Sequence, residues 1–336
     1  MRIDVHNHYL PEPYVNLLLE WDTPVGLVEE DGEYYMVHEK SGTASVREGQ
    51  RIPLNVGFTD VEARREWMQS HEIDRTLVSV STPNPIADAF TVEQSTELVK
   101  AINDGYAAAE DDHPDVFGGL GTLPLRDPEA AVEEVERIAT SLDLAGIALP
   151  TSINGKKISQ PELAPAFEAI EDHDITVFFH PHGNVLAETL DHNELFLSPL
   201  VVFPTETTLQ IARLIYDGFF DTYDFDVVLS HMGGAILALA GRLDRARREM
   251  DDPDEPPTRP IVSYLEEFYY DVISFHPPAL ETAIDTVGID QLVFGTDYPF
   301  DEEDIDTNIG HLEAVVPRYS DRQRILSETA QDLFNI

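Results

Sequence analysis

The chain has 336 residues and a formal net charge of -43, from 64 acidic and 21 basic side chains. A field this negative repels phosphate backbones and anionic lipid surfaces, so we expect neither nucleic acid nor a membrane as a partner. There is no cysteine, which excludes disulfides and thiolate metal sites. Any metal must therefore be held by nitrogen and oxygen ligands.

The acidic surplus is spread along the whole chain rather than confined to one tail, and lysine is scarce. Because salt screens self-repulsion, this pattern suggests adaptation to high salt, that is, a halophilic protein. Hydrophobic residues make up 42% of the chain, which is ample for a large core. No apolar run approaches the roughly 18–20 residues that span a bilayer, and no signal-peptide pattern precedes the first predicted strand. We therefore expect a cytoplasmic enzyme.

Strands and helices are predicted to alternate along the chain. The first ten residues form a short strand, in which Ile3 and Val5 alternate with polar residues. A glycine-rich insertion bearing a hairpin follows at about 20–57, and then a helix at about 60–71. The later strands are predicted at 76–80, 116–123, 145–149, 175–179, 225–229, 268–272 and 292–294, and the later helices at 92–110, 128–141, 161–173, 205–216, 237–249, 278–287 and about 321–334.

Eight strands with helices between them predict an α/β fold of the (β/α)8 TIM barrel class. The length suits a single barrel domain over 1–336, with the 20–57 insertion after strand one as a lid or a decoration. An open doubly wound sheet is the alternative, but no glycine-rich dinucleotide fingerprint follows any strand. In a barrel the active site lies at the carboxyl ends of the strands, where we look for chemistry.

Four of the predicted strands end on histidine or aspartate. The first ends with His6 and His8, which share a face because side chains on a strand repeat every two residues. The fifth ends with His180, the sixth with His231 and the eighth with Asp297. A lone histidine at a strand end is more often a packed residue. Several that converge on one barrel mouth indicate a metalloenzyme.

These motifs resemble the amidohydrolase superfamily, in the branch that contains aminocarboxymuconate-semialdehyde decarboxylase and the γ-resorcylate-type decarboxylases. The resemblance runs from Ile3 almost to the C-terminus. It rests on Asp4-x-His6-x-His8 with Leu10-Pro11, His180-Pro181, His231-Met232-Gly233-Gly234, Gly241-Arg242 and Gly295-Thr296-Asp297-Tyr298-Pro299-Phe300. It implies a barrel of the metal-dependent hydrolase type and a homodimer.

The resemblance also implies a ligand set. His6, His8, His180 and Asp297 would bind one divalent metal, most often zinc, with manganese as the second choice. Three neutral imidazoles and a carboxylate leave a position for water or substrate. His231 would be the general acid/base that works on the metal-bound water, and its alternative role is to orient a ligand.

Substrate contacts are implied at three further residues. Arg242 matches a family arginine that reaches a substrate carboxylate, in some members from the neighbouring subunit; a surface ion pair is the alternative. Arg51 is a looser match to a second such arginine. His182 stands where the decarboxylase prototype has an aromatic residue, which leaves the exact substrate open. No lysine follows the fourth strand before Lys156, which favours one metal over the lysine-bridged pair of binuclear members.

The leading interpretation is a non-oxidative decarboxylase, or carboxy-lyase, of a small unsaturated or aromatic carboxylate. The alternative keeps the metal site but hydrolyses a lactone, amide or related bond, because one barrel supports both chemistries. A remote alternative is a non-catalytic scaffold with a structural metal, which would not need His231. Asp4, deeper on the first strand, is expected to be a structural carboxylate.

Overall fold

The structure is a computed structural model that describes residues 1–38, 51–182, 197–250, 256–300 and 305–336. Its strands are β1 (Ile3–His8), β2 (Val25–Glu30), β3 (Glu33–His38), β4 (Arg51–Pro53), β5 (Arg75–Ser79), β6 (Phe117–Gly121), β7 (Gly146–Pro150), β8 (Val177–His180), β9 (Val227–Leu229), β10 (Tyr269–Asp271) and β11 (Leu292–Val293).

The α-helices follow the same chain order. They are α1 (Glu12–Glu20), α2 (Val61–Ser70), α3 (Val92–Asp112), α4 (Pro128–Arg137), α5 (Ala164–Asp172), α6 (Phe203–Tyr216), α7 (Phe219–Thr222), α8 (Ile236–Arg248), α9 (Ile261–Leu265), α10 (Pro277–Val287), α11 (Ile305–Val315), α12 (Tyr319–Gln323) and α13 (Thr329–Phe334). None of the helices in the described ranges is both long and apolar enough to cross a membrane.

Within the described residues, eight strands form one parallel sheet in the order β1-β5-β6-β7-β8-β9-β10-β11. The sheet closes on itself because the amide of Val5 donates to the carbonyl of Phe294 at 3.0 Å and that of His8 to Tyr298 at 2.8 Å. The predicted (β/α)8 barrel is therefore confirmed, and each predicted barrel strand is present.

The barrel interior is apolar and is covered at its amino-terminal end. Ile3, Val5 and Phe178 belong to a buried cluster that also contains Leu333 and Phe334 of α13. The hydroxyl of Thr176, just before β8, donates to the carbonyl of Leu333 at 2.7 Å. Because α13 covers this end, we look for the active site at the carboxyl ends of the strands.

The hairpin expected in the insertion is present as part of a three-stranded antiparallel sheet, β2-β3-β4. Its tight turn is Asp31-Gly32, with φ of +55° and +85°. A two-residue hairpin turn with positive φ at both positions matches the twist of its strands, and Asp-Gly suits it. The part of the insertion at 39–50 lies outside the described residues.

Four helices were not predicted from the sequence: α1, α7, α9 and α11. Helix α1 begins after Pro11 and buries Tyr14, Val15 and Leu18. It packs against α3, where Gly105 permits a close approach: a Cβ added there would lie 2.4 Å from Cβ of Pro11. Tertiary packing therefore supports a helix whose proline-rich start suggested none.

Candidate active site

Side chains from four strand ends meet at the carboxyl end of the barrel. His6, His180, His231 and Asp297 each offer a donor atom, and these atoms lie within 4.8 Å of one another. His8 adjoins this group, with its Nε2 2.9 Å from Oδ1 of Asp297. The structure thus brings together all five residues that the sequence singled out for the metal and the acid/base role.

The spacing of these atoms fits a single ion. Nε2 of His6 lies 3.2 Å from the same Oδ1 of Asp297 that His8 approaches. Ligand atoms on a tetrahedron with zinc bonds of 2.0–2.1 Å are roughly 3.3 Å apart, which is close to these separations. His231 faces the other carboxylate oxygen, with its Nε2 3.5 Å from Oδ2.

His180 provides the clearest sign that something binds here. Its ring centroid lies 5.0 Å from that of His6 and 4.9 Å from that of His8. Both of its ring nitrogens are buried without a hydrogen-bond partner in the described part of the chain. Buried polar groups are rarely left unsatisfied, because the lost hydration is not replaced. A divalent metal would supply the missing partner, so the residues present fit one metal ion.

Asp271, at the end of β10, is a site residue that the sequence analysis missed. Its Oδ2 lies 2.6 Å from Nδ1 of His6 and accepts the backbone N–H of His231 at 2.8 Å. Its Oδ1 accepts the N–H groups of Met232 and Ile273 at 2.9 and 3.1 Å. A carboxylate that accepts the Nδ1 proton of His6 leaves Nε2 free for a metal. The available signal was an aspartate within an otherwise apolar and aromatic strand.

The backbone around His231 explains its glycine-rich motif. His231 and Met232 adopt left-handed conformations, with φ of +52° and +56°, and Asp271 accepts the N–H of both. Gly234 has φ +65° and ψ -120°, and a Cβ there would lie 2.1 Å from the carbonyl oxygen of Pro204. The motif thus encodes a strained turn, which presents the His231 ring to the site.

Electrostatics set the protonation of the cluster. Burial alone would lower the pKa of His6, but the carboxylates of Asp297 and Asp271 outweigh it and raise that pKa to about 10. Burial would raise the pKa of Asp297, but His6, His231 and His8 hold it well below its usual value. Burial lowers the pKa of both His8 and His180, so these rings are neutral. Neutral imidazole is the form that binds metal.

One side of the cluster faces solvent. The side chains of His231 and Asp297 are 12% and 14% exposed, whereas those of His6 and His8 are fully buried. Phe300, half-exposed, lies edge-on to His8 with ring centroids 5.5 Å apart. A substrate can therefore approach His231 from this side, past an aromatic wall.

The three predicted substrate contacts occupy different places. The ring of His182 lies 5.9 Å from that of His180, and burial and the nearby His8 lower the pKa of His182 to about 4. Arg51 lies in β4 and pairs with Glu30 of β2, across the three-stranded sheet, away from the cluster in every contact that the described residues show. Arg242 is exposed on α8 and makes no ion pair within the described ranges.

Asp4 has the structural position expected for it. Its carboxylate accepts hydrogen bonds from the amide of Asn7 at 2.6 Å and from the hydroxyl and N–H of Thr296 at 2.6 and 3.1 Å. Burial raises the pKa of Asp4 to about 6, although these donors oppose the rise. Asp4 thus ties β1 to the residue that precedes Asp297.

A family model described as amidohydrolase matches residues 3–336, nearly the whole chain. The chain belongs to this amidohydrolase family. The matched range includes all five histidine and aspartate residues of the cluster.

Individual relatives share a low sequence identity with this chain, but the similarity extends over most of its length. The chain is 27% identical to a 2-amino-3-carboxymuconate-6-semialdehyde decarboxylase of Dictyostelium discoideum, over 89% of this chain and 82% of that protein. It is 29% identical to a gamma-resorcylate decarboxylase of a Polaromonas species, over 84% and 90%.

Solved structures agree on the fold. Apo IDCase of Metarhizium anisopliae superposes with a TM-score of 0.85 at 26% identity, covering 100% of this chain and 97% of that one. A dihydroxybenzoic acid decarboxylase of a Polaromonas species, with bound manganese and the inhibitor 2-nitroresorcinol, superposes with a TM-score of 0.78 at 24% identity, covering 99% and 96%.

Proposed function

We propose that this chain is a metal-dependent, non-oxidative decarboxylase of a small aromatic or unsaturated carboxylate. The observation that carries the proposal is the meeting of His6, His180, His231 and Asp297 within 4.8 Å, with His8 beside Asp297 and with His231 partly exposed. The amidohydrolase relatives whose names mark them as decarboxylases give the reaction class. Names alone would not suffice, since one barrel hosts many reactions.

In this proposal His6, His8, His180 and Asp297 hold the metal, and His231 is kept for proton transfer. The choice of His8 over His231 as a ligand is supported by Asp297, because His6 and His8 share its Oδ1 whereas His231 faces Oδ2. When bound, a divalent metal supplies Lewis-acid stabilisation of negative charge on the oxygens of the substrate.

His231 then handles the proton that replaces CO2. Decarboxylation breaks the bond between the carboxyl carbon and the ring or chain carbon, and a proton takes over the electron pair at that carbon. His231 delivers this proton from Nε2 and regains one from solvent, to which its side chain is 12% exposed. Its turn is held by Asp271, so the donor is oriented before substrate arrives.

The metal is proposed to be zinc, with manganese as the competitor. Three imidazoles and one carboxylate form a nitrogen-rich set that suits zinc, whereas manganese prefers more oxygen ligands. Manganese remains the second candidate because it is bound in the structure of the Polaromonas enzyme. Metal analysis of the purified protein, followed by removal and reloading with each ion, would decide by which one restores activity.

The test of the function is CO2 release from a panel of hydroxybenzoates and carboxylated muconate semialdehydes, with metal supplied. We expect release from at least one compound, lost on chelation and restored by metal. If the folded, metal-loaded protein releases no CO2 but cleaves lactones or amides from a parallel panel, the hydrolase alternative replaces this proposal.

We further propose a homodimer, with Arg242 reaching the partner's substrate. Helix α8 buries only Ile236 of its 13 residues, and it contacts α6, beside which Leu200 and Val201 are 70% and 51% exposed. Exposed apolar side chains and an arginine without an ion pair in the described residues, on two segments that both contact α6, suit a second copy of the chain. Sedimentation would test this, and Val201→Glu should produce monomers.

Arg51 and His182 remain proposed substrate contacts, to be tested by the KM of Arg51→Met and His182→Phe.

Finally, we propose that the enzyme works in a salty cytoplasm. The charge of -43 creates strong self-repulsion, and the screening length falls from about 10 Å at 0.1 M salt to about 3 Å at 1 M. Unfolding temperature and activity should both rise between 0.1 M and 2 M KCl. A fall in both would overturn the salt proposal, and cell fractionation would test the location.

A further inference from the structure

Arg64 of α2 is a fully buried arginine directly behind the site. One guanidinium nitrogen, Nη2, donates to the backbone carbonyls of His8 at 2.5 Å and Gly57 at 2.8 Å. The other, Nη1, donates to the side-chain oxygen of Asn7. The same guanidinium therefore contacts the end of β1 and the turn that precedes α2.

The partners of Arg64 are all neutral. No carboxylate forms an ion pair with it anywhere in the described residues, and its charge lies instead over aromatic rings, 4.9 Å from the ring centroid of Tyr298 and 5.4 Å from that of Tyr9. A buried charge without a direct ion pair is costly, so packing alone does not explain Arg64. The acceptors that it holds point to a further role.

The first acceptor chain leads to the segment that follows β11 and holds the proposed ligand Asp297. Asn7 takes the hydrogen bond of Arg64 on its oxygen and passes one from its Nδ2 to Asp4 at 2.6 Å. Asp4 in turn holds Thr296, whose hydroxyl donates to it at 2.6 Å. Asp297 follows directly, so that Arg64, Asn7 and Asp4 connect α2 with both ends of the ligand set.

The second acceptor leads to the wall of the site. Gly57 is followed by Phe58, whose ring centroid lies 5.0 Å from that of Phe300. Phe300 in turn lies 5.5 Å from the ring of His8. By holding the carbonyls of Gly57 and His8 with one nitrogen, Arg64 sets the distance between this aromatic wall and a proposed ligand.

We propose that Arg64 is a positioning residue for the reaction, one that fixes His8 and the Phe58 wall relative to each other and, through Asn7, to Asp297. The inference rests on the proposed metal site and function. A guanidinium suits this task because its donors form a rigid planar fork, which can serve several acceptors at fixed angles. A lysine at this position would keep the charge but not the fork.

The test compares Arg64→Lys and Arg64→Gln with a matched control, Arg65→Lys. Arg65 is the next residue of α2 and pairs at the surface with Asp115. Metal affinity is measured by chelator competition without substrate, and kcat and KM by CO2 release. We expect both Arg64 variants to bind metal about 10- to 100-fold more weakly, and the metal-saturated enzymes to have a raised KM, whereas Arg65→Lys matches the wild type.

A purely structural role would have a different signature. If the Arg64 variants unfold at lower temperature but keep wild-type metal affinity and KM, the proposal is overturned. Should neither variant fold, Asn7→Ser removes the acceptor of Nη1 and the donor to Asp4 but leaves the bonds of Nη2 to His8 and Gly57. Unchanged metal affinity in this variant would overturn the link from Arg64 to Asp297. A wild-type protein that binds no metal or releases no CO2 would instead refute the proposed function itself.

Discussion

Replacement of Asp271 by asparagine should weaken both metal binding and the stability of the fold. The carboxylate of Asp271 accepts four hydrogen bonds, from His6, His231, Met232 and Ile273. An amide of the same shape has only one acceptor atom, so its NH2 group must face two of these donors. If it faces His6, the Nδ1 proton has to move to Nε2, which removes that ring as a ligand.

The magnitude follows from the lost acceptor. Two buried donors without partners cost about 1–3 kcal/mol each, so we expect unfolding free energy to fall by roughly 2–6 kcal/mol. Disturbing a residue that orients a ligand typically weakens metal binding about 10- to 100-fold, which is roughly 1.4–2.7 kcal/mol. The loss of unfolding free energy is a substantial fraction of the ~5–15 kcal/mol of stability typical of a domain.

The assay measures the metal dissociation constant by chelator competition and the unfolding free energy by urea, for Asp271→Asn and for Asp226→Asn. Asp226 lies just before β9, at the opposite end of the barrel, and burial raises its pKa. Its replacement removes the same charge without touching the site and should leave metal binding unchanged. Wild-type metal affinity in folded Asp271→Asn would refute the role assigned to this carboxylate.

Three further predictions concern the same end of the barrel. His231→Asn should keep the metal but release CO2 about 10²- to 10⁴-fold more slowly; asparagine tolerates the φ of +52°, and loss of metal would instead make His231 a ligand. Because the pKa of His6 is raised from 6.5 to about 10, its charge stabilises the metal-free protein below pH 6.5, and this stability is lost as pH rises through 10. Metal binding at pH 8 should therefore release about one proton, which calorimetry in two buffers would measure. The absence of proton release would contradict the assignment of His6 as a ligand. Gly234→Ala should lower the unfolding free energy by about 2 kcal/mol or more in thermal or urea unfolding. The control is Gly310→Ala in α11, which should not lower it because open space surrounds its Cα. Equal stability of the two variants would contradict the packing argument.

The sequence was most informative where a local pattern has one physical solution. Alternating strands and helices predicted the barrel, because parallel strands buried on both faces need helical crossovers. The glycine-rich insertion predicted a hairpin, and the structure places its turn at Asp31-Gly32, where positive φ angles suit few residues. Histidines at successive strand ends pointed to a metal because every such end in a barrel faces one mouth.

Alternation along β1 was a weaker guide than it first seemed. It predicted a shared face for His6 and His8, and their rings do approach, with centroids 5.2 Å apart. However, the pairing of β1 with β5 shifts register between Asp4 and Asn7, so a strict period of two does not hold across the segment.

The sequence by itself determined the fold class, the candidate ligands and the acidic character of the protein, because each depends on residue type and local order. Only the tertiary structure showed that Asp271 orients His6 and that Arg64 holds His8, since these partners are separated by 265 and 56 positions in the chain. Their chemistry is ordinary in isolation. An aspartate in a strand and an arginine in a helix gain their roles from burial and from what the closed barrel places next to them.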